Sequence, residues 1–306
     1  MGSINTTVVK NEEGLKQLMS NQISTGVDGP IDLEVENFAK GEMYHCDGLV
    51  YENQVKLAWV SKYINTCVGF LDSNFLASYT LQKDNPLVPR ITDFTIKTLH
   101  ALNQYDSENN PSLSYSFHVE VFYDESTSDI VLCEAACRTG FIYKLFHFIS
   151  FILFIILFIF VLFIFIFNLF HFIYYFLGGA GVSDVNRYMW NVDLNKACVQ
   201  SQCGDKPNSE GIPEGDYTTQ KRAEDTKQCV GWLLMYPKVG TIKTLANGEA
   251  FEFVYSQSNS SRRSFLQMAH CTDCISQFII TGNDEKDVIK NIKDTARWFT
   301  ENTIYD

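Results

Sequence analysis

The sequence predicts an α+β protein in which helices pack on an antiparallel sheet, and three segments carry that expectation. Ser114 to Gly140, SYSFHVEVFYDESTSDIVLCEAACRTG, alternates polar and apolar residues (His118 and Glu120 against Phe117, Val119 and Val121). It then passes through a turn-like stretch, Asp124 to Asp129, and resumes as a strand from Ile130 to Glu134. Tyr44 to Tyr51 and Val55 to Tyr63 form a second predicted hairpin that turns at Glu52-Asn53. Between the hairpins, Ile91 to Asn103 carries apolar residues at helical spacing (Ile91, Phe94, Ile96, Leu99, Leu102), a helix that would pack on the sheet.

Taken in order, the chain starts with a helix-like stretch, Asn11 to Asn21, followed by a strand from Asp32 to Phe38 and the first hairpin. Lys62, at the end of that hairpin, reads as a solvated surface lysine. After the second hairpin comes a long hydrophobic block, then a helix from Ser183 to Gln202 with Asp193 and Asn195 near its middle. Residues 203 to 227 are polar and turn-rich. Strands follow at Val230 to Tyr236, Gly240 to Leu245, Phe251 to Tyr255 and Gln277 to Thr281, with Ser256 to Ser264 read as a mobile connector. Gly282-Asn283 turns the chain into a final helix, Asp284 to Asn302.

The second hairpin also carries the candidate chemistry. Folded about Thr127, it sets Glu120 opposite Glu134 with about 5 Å between Cβ atoms. Two like charges at that spacing repel, and a hard divalent cation with oxygen ligands relieves the repulsion. Arg138, four residues past Glu134, is placed to meet an anion bound by that metal. The pattern points to magnesium and a nucleotide; the plain alternative is an exposed hairpin with two solvated acids.

The E-x-A-x-R run from Glu134 to Arg138, after the H-x-E strand, resembles the metal-binding end of the ATP-grasp superfamily, usually E-x-N-x-R; Ala136 stands in the place of the asparagine. Leu33 to Leu49, LEVENFAKGEMYHCDGL, is similar to that family's adenine- and ribose-clasping strand, hinge and strand, with Met43 where the ribose glutamate is usual. The YPKVGTIK stretch resembles a strand of its C-terminal lobe. The resemblance implies an ATP-grasp fold and gives roles to particular residues. Glu120 and Glu134 would hold Mg²⁺ (or Mn²⁺), Glu36, Asn37 and Phe38 would contact ATP, and Glu42 would serve the ribose. Gly2 and Ser3 would be the tail of a phosphate-closing loop, and Arg138 would stabilise the acyl phosphate or the oxyanion that follows. The implied activity is an ATP- and Mg-dependent carboxylate-amine ligation through an acyl phosphate, on small amino-acid-like carboxylates and amines, in the cytoplasm. Because the resemblance begins late in the family pattern, the chain reads as N-terminally truncated, the C-terminal part of a longer ligase, which puts independent activity in question. The implied division is 1–140 for a partial nucleotide- and metal-binding region, 141–178 for an insertion and 179–306 for the remainder.

Phe141 to Leu177 is made almost wholly of Phe, Ile, Leu and Tyr, with Lys144 its only charge. By length it could span a bilayer as a hydrophobic helix, for which about 20 apolar residues suffice. Yet it holds neither Ala nor Gly, repeats Phe-Ile like a low-complexity tract, and interrupts a motif. Joining Cys137-Arg138-Thr139-Gly140 to Gly179-Ala180-Gly181-Val182 gives CRTGGAGV, similar to the family's uninterrupted loop. The favoured expectation is a retained, translated intron, since a single crossing would put the metal hairpin and the C-terminal part on opposite sides of a bilayer. The rival readings are a single-pass membrane protein, with a membrane location only if 141–177 is really translated, and a non-catalytic ATP-binding module.

A net charge of −12 disfavours nucleic acid and anionic membrane surfaces as partners. The nine cysteines show no framework spacing, which suits a reducing, cytosolic chain. Cys271-Thr272-Asp273-Cys274, after His270, is a lone C-x-x-C and a weak zinc or redox signal. His45 and His118 lie near the proposed acids but form no constellation in the sequence, and core or strand-surface positions explain them equally well.

Overall fold

The computed structural model describes residues 7–24, 35–65, 73–106, 113–137, 179–207, 211–223, 227–248, 251–262, 264–265 and 274–306. An eight-stranded sheet organises them. Its strands are β1 (Glu42–Tyr51), β2 (Gln54–Tyr63), β3 (Phe75–Thr80), β4 (Tyr115–Asp124), β5 (Asp129–Cys137), β6 (Cys229–Met235), β8 (Val254–Asn259) and β10 (Ser276–Gly282). They lie in the order β5-β4-β1-β2-β3-β6-β10-β8, and every neighbouring pair is antiparallel. A smaller sheet, β11-β7-β9, joins Ile304–Tyr305, Gly240–Thr244 and Ser264–Phe265.

Period-two alternation gives this sheet two buried faces, each covered by helices. On one face Tyr44, Cys46, Val60, Phe117, Val119 and Val121 pack with Ile91 and Leu99 of α2 (Leu87–Asp106) and Val288, Ile292 and Phe299 of α5 (Glu285–Asn302). On the other, Met43, Leu49, Leu57, Trp59, Trp232 and Ile279 pack with Val182, Val185 and Met189 of α3 (Gly179–Trp190) and Leu194 and Ala197 of α4 (Leu194–Gln202). Each fully buried Leu, Ile or Phe stabilises the fold by roughly 1.5–3 kcal/mol.

The two predicted hairpins form. Glu52 and Asn53 take left-handed φ values of 49° and 64°, as a two-residue turn between twisted strands requires. In the second hairpin, Ser126 N donates to Asp124 Oδ1 at 2.8 Å and Ser128 supplies the positive φ. The helices expected from Asn11 and Ile91 form as α1 (Glu12–Ser24) and α2. The last helix starts at the Asp284 N-cap, whose Oδ1 accepts from Asp287 N at 2.7 Å.

Four expectations are corrected. The described part of the proposed Asp32–Phe38 strand, residues 35–38, is exposed and irregular, with no partner strand among the described residues. The single helix Ser183–Gln202 is two: Asn191 adopts φ 53°, and Asp193 then caps α4 by accepting from Lys196 N at 3.0 Å. The strand placed at Phe251–Tyr255 lies instead at Val254–Asn259. The supposed connector from Ser256 is therefore a sheet edge paired with β10. Strand β3, absent from the sequence reading, is central; it pairs with β2 on one side and β6 on the other.

That last pairing decides the topology. Strands from before and after the hydrophobic block share one sheet, and α3, which begins at Gly179, packs on it. A single membrane crossing between Cys137 and Gly179 would separate elements that touch, so the single-pass reading is corrected. The block itself lies outside the described residues, and among those described no helix is long and apolar enough to cross a membrane.

Candidate metal and nucleotide site

Two adjacent rows of side chains cross the α3-facing side of the sheet. The first runs Glu134 (β5), Glu120 (β4), His45 (β1), Ser61 (β2) and Thr80 (β3), each the direct register partner of the next. The second runs Ala136, His118, Asp47 and Trp59 on β5, β4, β1 and β2. Apolar neighbours flank both: Met43 and Tyr63 beyond the first row, Leu49 and Leu57 beyond the second.

Glu120 pairs directly with Glu134 in the register. A bulge between Glu120 and Val121 aligns Leu132 with Val121 and leaves Cys133, between Leu132 and Glu134 on β5, without a register partner on β4. The environments of the two acids differ. Glu120 is buried, while Glu134 is exposed on the edge strand. Glu120 Oε1 accepts from the Tyr63 hydroxyl at 2.7 Å and lies 3.2 Å from His118 Nε2. Its Oε2 accepts no hydrogen bond among the described residues.

Behind Glu120 lies a buried relay. His118 Nδ1 is 2.7 Å from Asp47 Oδ1, and Asp47 Oδ2 is 2.5 Å from His45 Nδ1. Ser78 Oγ lies 2.6 Å from His45 Nε2. Both ring nitrogens of His118 therefore face carboxylate oxygens, and both contacts are hydrogen bonds only when both nitrogens carry protons. Burial is the largest single effect and lowers the affinity of His118 for its second proton, but the charges and hydrogen bonds of Asp47 and Glu120 together outweigh it and push the imidazole up to about 9. Burial acts upward on Asp47, and the charges of His118 and then His45 override it, holding that carboxyl well below the usual range. Burial likewise opposes ionisation of Glu120, where hydrogen bonding and charge from His118 prevail and lower it.

His45, Asp47 and His118 offer ligand atoms within 4.8 Å of one another, a grouping that could suggest a buried metal. Their spacing argues for protons instead. Two ligands of a tetrahedral zinc at about 2.0 Å would sit roughly 3.2 Å apart, whereas the nitrogen–oxygen distances here are 2.5 and 2.7 Å. The Glu120–Glu134 pair, all oxygen and with Oε2 open, is the set that suits a hard divalent ion.

The other expected site residues are not brought together with this pair. Glu42 opens β1 on the opposite face, opposite Tyr123, and its carboxylate pairs with Lys62 Nζ at 3.1 Å. Lys62 also lies over the Tyr44 ring at 5.4 Å, so it is an ion-paired residue rather than a solvated one. Glu36, Asn37 and Phe38 are exposed in the irregular segment before β1, with Phe38 75% exposed. Gly2, Ser3 and Arg138 lie outside the described residues, as do His270 and Cys271 of the C-x-x-C stretch. Asp47, His45, His118 and Tyr63 were missed as a unit. The available signal was the pair of H-x-D and H-x-E runs, whose i, i+2 spacing puts each His and its acid on one strand face.

No family model and no curated protein matches the sequence. Solved structures do. The L-amino acid ligase of Bacillus licheniformis superposes with a TM-score of 0.53 at 12% identity, over 88% of this chain and 55% of that one. This is the ATP-grasp fold. N5-carboxyaminoimidazole ribonucleotide synthetase of Thermotoga maritima (TM-score 0.53, 9% identity) shares it over 95% of this chain and 58% of its own. The biotin carboxylase domain of the 2-oxoglutarate carboxylase of Hydrogenobacter thermophilus, solved with MgADP and bicarbonate, gives a TM-score of 0.55 at 11% identity, over 100% of this chain and 55% of its own. The chain thus spans little more than half the length of each.

Proposed function

We propose that the chain contributes the metal- and nucleotide-binding face of an ATP- and Mg²⁺-dependent ligase that joins a small carboxylate to an amine through an acyl phosphate. The observation that carries this reading is the Glu120–Glu134 register pair, with one carboxylate buried and clamped and the other open to solvent. In this reading Glu120 and Glu134 hold the ion. Bound there, Mg²⁺ would neutralise phosphate charge during phosphoryl transfer from ATP. Tyr63 and His118 fix Glu120 Oε1, so that Oε2 is the ligand oxygen. Arg138 stabilises the anion of the acyl phosphate or of the tetrahedral adduct, a role whose loss costs about 10²- to 10³-fold in rate. Glu36, Asn37 and Phe38, with Gly2 and Ser3, complete the nucleotide contacts, while Glu42, on the opposite face and paired with Lys62, takes no part. The likeness to the L-amino acid ligase supports amino-acid-like substrates, and the family resemblance a cytoplasmic setting.

One observation favours a second reading, a nucleotide-binding module without turnover. Ala136, register partner of His118, offers no oxygen where the related motif has asparagine. Calorimetry of the full chain with MgATP, with Glu134→Ala alongside, tests the site; amino-acid-dependent ADP release tests turnover. Binding that requires Glu134 together with ADP release supports the ligase, and binding without release supports the module. Absent or Glu134-independent binding overturns both.

A further inference from the structure

We infer that Asp47 and His118 are positioning residues for the metal site, setting through Glu120 which carboxylate oxygen meets the cation; this rests on the metal-site reading above. Glu120 could rotate to present either oxygen, and the relay removes that freedom. Oε1 is occupied by the Tyr63 hydroxyl at 2.7 Å and faces His118 Nε2 at 3.2 Å. His118 cannot swing away, because its other nitrogen is tied to Asp47 Oδ1 at 2.7 Å. Asp47 is itself held from behind, its second oxygen 2.5 Å from His45 Nδ1, with Ser78 anchoring the far side of that ring at 2.6 Å. The chain of contacts thus runs from β3 through β1 to β4 and ends on the acid opposite Glu134.

Packing alone does not call for this arrangement. Asp47 and His45 are each 1% exposed, on a face whose flanking rows are filled by Met43, Tyr63, Leu49 and Leu57. Apolar residues of similar volume commonly replace such buried ionic groups without loss of stability. What they would not supply is a fixed donor aimed at Glu120. Contacts behind metal ligands generally set ligand orientation, and their removal costs about 10- to 100-fold in metal affinity.

The test measures binding of a non-hydrolysable ATP analogue to the full chain, once with Mg²⁺ and once with EDTA, and takes the ratio of affinities. Glu134→Ala should bring the ratio to about one. His118→Phe and Asp47→Asn should each lower it about tenfold or more, leaving the EDTA affinity as in the wild type. His118→Gln, which keeps an N–H near the Nε2 position, should restore most of the ratio, and adding Asp47→Asn to it should change little further. Tyr63→Phe removes only a hydroxyl and should lower the ratio a few-fold, so the inference stays testable if the His118 or Asp47 variants fold poorly. If Glu134→Ala abolishes the metal effect while Tyr63→Phe and the relay variants keep the wild-type ratio, the positioning role is overturned and the metal site stands. Relay variants that weaken binding equally with Mg²⁺ and EDTA also overturn it, since only general structure was lost. A wild-type ratio of one overturns the metal site itself.

Discussion

Glu120 and Glu134 are direct register partners on β4 and β5, yet one is buried beneath a tyrosine hydroxyl and a histidine while the other stands exposed on the sheet edge. The pair is therefore asymmetric. The inner acid is held in place by its neighbours, and the outer one meets solvent first.

Without metal, the pair opposes its own hairpin. Like charges directly across a ladder cost a few tenths to about 1 kcal/mol. Glu134→Gln should therefore raise the metal-free unfolding free energy by that amount in urea titrations while weakening MgATP binding. A variant that lost stability and kept binding would contradict the assignment.

The buried relay makes stability depend on pH in a defined sense. His118, against burial that acts the other way, is raised to about 9 from an ordinary 6.5 by Asp47 from β1 and Glu120 on its own strand, with the His45 ring packed beside it. Its contribution is complete below about 6.5, where folded and unfolded chains are both protonated, and is lost as pH rises through about 9. Asp47 and Glu120 are lowered, so their contribution is present above the ordinary carboxylate range and is lost on acidification. Stability should peak between about pH 5 and 6.5 and fall toward alkaline pH by on the order of 3 kcal/mol. Urea midpoints measured across that range check it, and His118→Gln should flatten the alkaline limb.

Gly48 sits in β1 where a Cβ would meet the Leu57 carbonyl and the Phe117 ring. Gly48→Ala must displace backbone or a buried aromatic ring, a cost of about 1–3 kcal/mol. Thermal unfolding should show a loss on that scale; an unchanged melting temperature would refute the close approach.

Asp193 separates α3 from α4 by capping the second helix, and its other carboxylate oxygen pairs with Arg187 at 3.2 Å. Asp193→Ala should cost about 1 kcal/mol, most of it from the lost cap. Asp193→Ser should recover most of that in the same unfolding assay, because serine retains a capping oxygen.

Much of the framework was legible because it is local. Period-two alternation announced both hairpins, Glu52-Asn53 announced a tight turn, and helical spacing announced α2. The Glu120–Glu134 pairing followed from counting outward from the turn, even though the bulge beside Glu120 shifts the rest of the ladder by one residue. What failed depends on partners. Residues 35–38 look like a strand but have none beside them among the described residues, while the six residues of β3 form a strand because β2 and β6 flank them. The break at Asn191 turned on a single left-handed residue inside an otherwise helical pattern.

The sequence alone determined the alternation of faces, the turn positions and the presence of two acids able to meet across a hairpin, since each depends on neighbours a few residues away. The tertiary structure decided that β1 lies beside β4, so that Asp47 meets His118, and that β2 brings Tyr63 to Glu120. Those contacts bridge residues 57 to 71 positions apart. No local periodicity encodes which strands become neighbours; that choice belongs to the packing of the whole sheet between its two layers of helices.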